Sequence, residues 1–111
     1  MTGRGSQRKG AAGERELVSL LQLAGYPVER GGSETYGTVP DLIGLPGIHV
    51  EVKRVERLNL SEAMTQAIHD AGRFKDGFPA VFHRRNREPW RVTMELNAWL
   101  RLYAAWMKSL E

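Results

Sequence analysis

In the stretch VPDLIGLPGIHVEVKR (residues 39–54), Asp41 follows a proline, Glu51 comes ten residues after Asp41, and Lys53 stands two beyond Glu51. Two carboxylates can hold a hard divalent cation through oxygen ligands. A lysine ammonium beside them can act on an attacking water or on the charge that develops at phosphorus. Phosphodiester hydrolysis needs such a set, so the first reading is a metal-dependent nuclease. A plainer reading stands beside it, because charged residues on the exposed face of a strand are ordinarily just solvated.

The elements around these residues must bring them together. Ile48, Val50 and Val52 alternate with His49, Glu51 and Lys53, the period of a strand that sends its valines inward and Glu51 and Lys53 to one outer face. Leu45-Pro46-Gly47-Ile48 reads as a turn, with proline presetting its first central position and glycine accepting positive φ at the second. An ideal two-residue connection would set Asp41 opposite Val52, on the wrong face. Either a bulge or longer effective loop shifts the register by one residue, or Asp41 sits just before regular pairing begins. His49 shares the face of Glu51 and is expected to be exposed; together with His69 and His83 it shows no ligand spacing. Upstream, Leu17, Val18, Leu20, Leu21 and Ala24 form the apolar stripe of a helix that ends near Gly25. Glu14 and Glu16 fall about 70° and about 90° to either side of that stripe. An acid in a helix's first turn can also simply complement its dipole.

The run RKGAAGERELVSLL, then VERGGS, VPDLIGL and VEVKR, resembles the archaeal-type Holliday junction resolvases, a branch of the PD-(D/E)xK nuclease superfamily. The resemblance covers residues 8–54 in order and continues more loosely through a helix and strands around residues 80–92. It implies that the family's first-helix glutamate corresponds to Glu14, with Glu16 on a position the family does not need. Likewise it implies that Asp41, Glu51 and Lys53 are the motif residues, that Ser33 lies near the scissile phosphate, and that Gln66 matches a glutamine found in several nuclease relatives. Gln66 equally fits a surface residue, about 130° from the stripe of its helix. The expected cofactor is Mg²⁺, with Mn²⁺ as a substitute, held by Asp41, Glu51, Glu14 and the carbonyl of Val52. The expected partners are branched double-stranded DNA and a second copy of the chain, with no organic cofactor and no membrane.

Composition fits this reading. A chain of 111 residues suits one domain with a modest core, and a net charge of +3 suits a polyanionic partner. With no cysteine, thiolate metal sites, disulfides and cysteine nucleophiles are excluded, and a reducing cytoplasm is expected. No apolar run reaches membrane-spanning length. Arg4, Arg8 and Lys9 lie among glycines in residues 1–11, expected to be a flexible basic arm that tracks phosphates, ahead of a nuclease domain over residues 12–111. A second basic cluster, His83, Arg84, Arg85, Arg87 and Arg91, is expected on a turn that meets DNA, with a solvated hairpin as the alternative.

The coarse path is helix 12–23, strands 27–30, 41–45 and 48–55, helix 60–74 capped by Asn59 with Glu62, strands 80–84 and 90–94, and helix 95–110. As the resemblance implies, this is an α/β fold, a mixed sheet flanked by helices with the αβββαβ order of restriction-endonuclease-like cores. Leu96, Trp99, Leu100, Tyr103, Trp106, Met107 and Leu110 make the last helix strongly amphipathic. Most of that stripe is expected to cover the sheet, leaving part for a second subunit. The function expected is metal-dependent cleavage of four-way junctions by paired nicks. The alternatives are a related nuclease acting on flaps or duplex ends, and a DNA-binding module without catalysis.

Overall fold

The structure, a computed structural model, describes residues 3–32 and 39–111, with side chains from residue 10 onward. Its elements are α1 (Gly3–Leu23), β1 (Glu29–Arg30), β2 (Leu42–Ile43), β3 (Gly47–Arg54), α2 (Leu60–Phe74), β4 (Gly77–Arg84), β5 (Arg91–Met94) and α3 (Leu96–Ser109). β3 and β4 run parallel from the Gly47 and Gly77 pair to the Arg54 and Arg84 pair, with α2 as the crossover that a parallel pair requires. β5 returns antiparallel against β4, so the sheet is mixed as expected.

The hairpin expected between β2 and β3 is replaced by a different ladder. The turn is present, with the Ile48 N–H donating to the Leu45 carbonyl at 3.1 Å. Yet β2 pairs antiparallel with β1, Glu29 opposite Ile43 and Arg30 opposite Leu42. The reason is local: the Val52 N–H of β3 is taken by the side chain of Asp41 at 2.8 Å, so a carboxylate stands where a ladder carbonyl would be.

β3 is buried on both faces. On one side Val50 and Val52 pack with Leu17 of α1, Val28 and Leu42. On the other, α2 presents a stripe of Ala63, Ala67 and Ala71, small enough to let the helix lie close to the sheet. α2 has the bounds its sequence predicts. The Asn59 carboxamide accepts the Glu62 N–H at 3.0 Å, and the helix ends at Lys75, left-handed at φ 53°, whose N–H returns to the Ala71 carbonyl at 2.8 Å. α1 docks on β3 at Gly13, where a Cβ would collide with that of Arg54.

Two expectations are corrected at the ends of the chain. The first helix, expected over residues 12–23, begins at Gly3. The stripe of α3 does not cover the sheet: Ala98 is its buried residue, whereas Trp99, Leu100, Tyr103, Trp106, Met107 and Leu110 are all exposed. Helical periodicity shows that a helix has an apolar face, not which surface will meet it. Among the described residues, no helix is long and apolar enough to cross a membrane.

Candidate active site

Asp41 stands immediately before β2, the second of the two positions open to it from the sequence. Its carbonyl accepts the Gly31 N–H at 3.0 Å, a close approach that needs glycine, since a Cβ at Gly31 would collide with the Pro40 carbonyl. Its side chain is locked on the Val52 N–H. Burial, and then the charge of Glu51, push its carboxyl from 3.8 up to about 7. Glu14 adds to the rise, while the Val52 N–H and Lys53 oppose it.

Glu51 is 8 % exposed and divides its two oxygens. Oε2 lies 3.7 Å from Lys53 Nζ, and Oε1 lies 3.9 Å from His49 Nε2. Asp41, Glu51 and Lys53 are thus brought to one end of β3, with Val52 contributing its N–H to Asp41. Glu14 borders them but is committed to a neighbour, its Oε1 accepting from Arg30 Nε at 2.9 Å. Ser33 lies outside the described residues, as do the side chains of Arg4, Arg8 and Lys9.

Among the described residues, the three side chains whose ligand atoms all lie within 4.8 Å of one another are His49, Glu51 and Asp70, not Glu14, Asp41 and Glu51. The sequence reading missed this trio. His49, expected to be exposed, is 1 % exposed because α2 covers its face of β3. Its Nδ1 lies 2.9 and 2.8 Å from the two Asp76 oxygens, and its ring stacks on Phe74. Burial opposes the charged ring, but Glu51 and Asp76 outweigh it and raise its pKa. At Asp70, burial is outweighed by hydrogen bonds from Gln66 and His69 and by neighbouring cations, so its carboxyl is held below the usual range. The Gln66 amide donates to Asp70 Oδ2 at 2.9 Å, so this exposed residue reaches the trio through Asp70. The available signal was the spacing of His49 to Glu51 on one strand face.

The second basic cluster is tied up within the chain. Arg84 donates to Glu16 Oε1 and to the Glu88 carbonyl, both at 2.6 Å, and the Trp90 indole N–H joins it on Glu16 at 2.9 Å. Arg85 and Arg91 both hold the Glu88 carboxylate. Arg84 and Arg85 thus each have an acceptor within the chain, and Arg85 remains exposed. Arg87 sits exposed on the turn with φ 64°.

A mixed sheet with an acid and lysine strand beside a first-helix glutamate defines a nuclease of the PD-(D/E)xK class. The model of the archaeal Holliday junction resolvase family, Hjc, matches residues 5–98, and the chain belongs to that family of structure-specific, junction-resolving nucleases. Among solved structures it is similar to Hjc of Archaeoglobus fulgidus, a Holliday junction resolvase from an archaeal hyperthermophile. The two are 26% identical with a TM-score of 0.58, over 78% of this chain and 72% of that one. No curated protein matches.

Proposed function

We propose that this chain is a Mg²⁺-dependent endodeoxyribonuclease that resolves four-way DNA junctions by paired nicks, working as a homodimer. The observation that carries the proposal is the Asp41 carboxylate fixed on the Val52 N–H beside Glu51 and Lys53, within a chain of the resolvase family. The donors suit a hard cation, being oxygens, and a cation would offset the burial and the Glu51 repulsion that hold Asp41 partly protonated at neutral pH. Mg²⁺, with Mn²⁺ as substitute, would be held by Asp41 and Glu51, with Glu14 and the Val52 carbonyl directly or through water, and would supply charge neutralisation at the phosphate. Lys53 orients or activates the attacking water and opposes the charge that grows on phosphorus. Ser33 fixes the scissile phosphate.

A four-way junction has approximate two-fold symmetry, and paired nicks need two sites at a fixed separation, which favours a C2 dimer. The exposed stripe of α3, in which Trp99 stacks on Tyr103 and Tyr103 meets Trp106, is the surface a second copy would cover. Incubation with a labelled junction, with and without Mg²⁺, is expected to give paired nicks only with the metal. A panel of flaps and duplex ends cleaved in preference would move the assignment to another nuclease type. A monomeric mass by light scattering, together with single uncoupled nicks in a cruciform, would remove the resolvase assignment.

A further inference from the structure

The imidazole of His49 is enclosed where α2 crosses β3, and its hydrogen bonding is one-sided. Asp76 faces Nδ1 with both oxygens, and a carboxylate can only accept, so Nδ1 carries the proton. The left-handed turn at Lys75 delivers Asp76 to this position, immediately after α2. In the neutral ring Nε2 is then left with a lone pair. It is buried and makes no hydrogen bond, and it is aimed at two carboxylates: Glu51 Oε1 at 3.9 Å, too far for a hydrogen bond, and Asp70. Facing two acids across a gap, Nε2 has a favourable partner only in a cation, either a proton, which the neighbouring acids favour, or a metal ion that displaces it.

From this arrangement we infer that His49 Nε2, Glu51 and Asp70 form a binding site for a divalent transition metal, distinct from the oxygen-only set at Asp41 but sharing Glu51 with it. The ligand atoms lie within 4.8 Å of one another, whereas ligands at tetrahedral angles and bonds of about 2.1 Å stand about 3.4 Å apart. The Glu51 and Asp70 side chains would have to turn inward to close on an ion. Imidazole nitrogen favours Zn²⁺, Cu²⁺, Fe²⁺ or Ni²⁺ over Mg²⁺. Asp76 completes the pattern in which a metal-bound histidine donates its other N–H to a carboxylate, fixing tautomer and ring orientation. Asp70, partly open to solvent and held ionised by Gln66 and His69, gives the ion its way in. Because Glu51 also faces Lys53, an ion here draws one oxygen of the nuclease set toward α2. The site stands whether or not the chain cleaves DNA.

The test is a Zn²⁺ titration of metal-stripped protein without DNA, followed by calorimetry and by the ¹⁵N resonances of the His49 ring. One Zn²⁺ per chain is expected, with the Nε2 resonance shifting and that of Nδ1 retaining its proton. Asp70→Asn and Asp76→Asn should each weaken binding by roughly 10- to 100-fold, and His49→Gln by at least as much. Asp41→Asn should change it less than about threefold, since that residue belongs to the other set. Should His49→Gln fail to fold, Asp70→Asn, Asp76→Asn and the ring resonance still decide. The inference is overturned by Zn²⁺ affinity that Asp70→Asn and Asp76→Asn leave unchanged, by an Nε2 resonance that does not move, or by Asp41→Asn costing as much as Asp70→Asn.

Discussion

Glu14 and Glu16 stand two residues apart on α1 and reach into regions built in opposite ways. Around Glu14 the acids crowd together: burial, Glu51 and Glu14 raise the cost of ionising Asp41, with Lys53 and Arg30 as the cations nearby. Around Glu16 the cations crowd instead, with Arg84, Arg54 and the Trp90 N–H gathered on one carboxylate, while Arg85 and Arg91 close on Glu88. The first region is left short of positive charge and can take it from a bound ion. In the second the arginines outnumber the carboxylates, but each has an acceptor within the chain, and Arg84 and Arg54 tie α1 to β3 and β4. A dense run of arginines in a sequence is thus no measure of how many of them lack a partner within the chain, and the acid-rich end of β3 is the candidate site.

The largest effect that tests this contrast is at Glu51. Glu51→Gln keeps the shape and removes the charge, and is expected to lower Mg²⁺-dependent junction cleavage by roughly a thousandfold or more, several kcal/mol of transition-state stabilisation. Junction binding should hold or tighten, because a negative charge facing phosphates is gone. Single-turnover cleavage beside a gel-shift titration separates the two. Near wild-type cleavage would remove Glu51 as a ligand.

Asp41 gives the next effect, read through pH. Its folded pKa of about 7 lies above the ordinary 3.8, so the native state binds the proton more tightly than the unfolded chain. The stability Asp41 contributes in metal-free protein is therefore complete below about pH 4 and is lost as pH rises through about 7. Asp41→Asn, whose carboxamide oxygen can still accept the Val52 N–H, is expected to exceed the wild type in stability at pH 8, by on the order of a few kcal/mol at most. The gap should fall to less than half by pH 5 and close below about pH 4. Urea midpoints in EDTA at the two pH values check it, and an equal gap at both would mean that Asp41 is not crowded.

Glu14→Ala against Glu16→Ala sharpens the comparison within one helix. Glu14→Ala should cost roughly a hundredfold in cleavage with little loss of stability. Glu16→Ala should cleave within a few-fold of wild type but lose about 2 kcal/mol of stability, because Arg84 and the Trp90 N–H are left without their shared acceptor. Reversed outcomes would mean that the first-helix correspondence is out of register.

Local signals carried far in this chain, and non-local ones did not. α2 was legible to its bounds because an Asn59 cap, an alanine stripe and a polar stop are all local. β3 was legible because period two is local, but the burial of His49 depends on which helix covers that face, and alternation cannot distinguish a strand covered on both faces by small residues. Asp41 reached Glu51 through a side-chain bond to a backbone N–H, which no register count contains. The basic turn was legible as charge, yet its neutralisation by Glu16 depends on a helix 68 residues away in sequence. The stripe of α3 was legible as apolar, but its expected cover was assigned to the wrong surface.

The smallest effect concerns the turn itself. Arg84 is held by Glu16 and the Glu88 carbonyl, and Arg85 and Arg91 by the Glu88 carboxylate, so a phosphate must compete with each of those bonds. Arg87 sits exposed at the apex, where its left-handed backbone turns the chain outward. If the turn meets DNA, Arg87→Ala should lower the salt slope of junction binding by about one while leaving the fold intact. Arg84→Ala should leave the slope nearly unchanged and lower the denaturant midpoint instead. Binding isotherms across a range of salt concentrations, paired with unfolding curves for both variants, distinguish the two. A unit of slope lost at Arg84 and none at Arg87 would mean that the knot opens on DNA and that its arginines exchange carboxylates for phosphates, which would erase the contrast between the two regions.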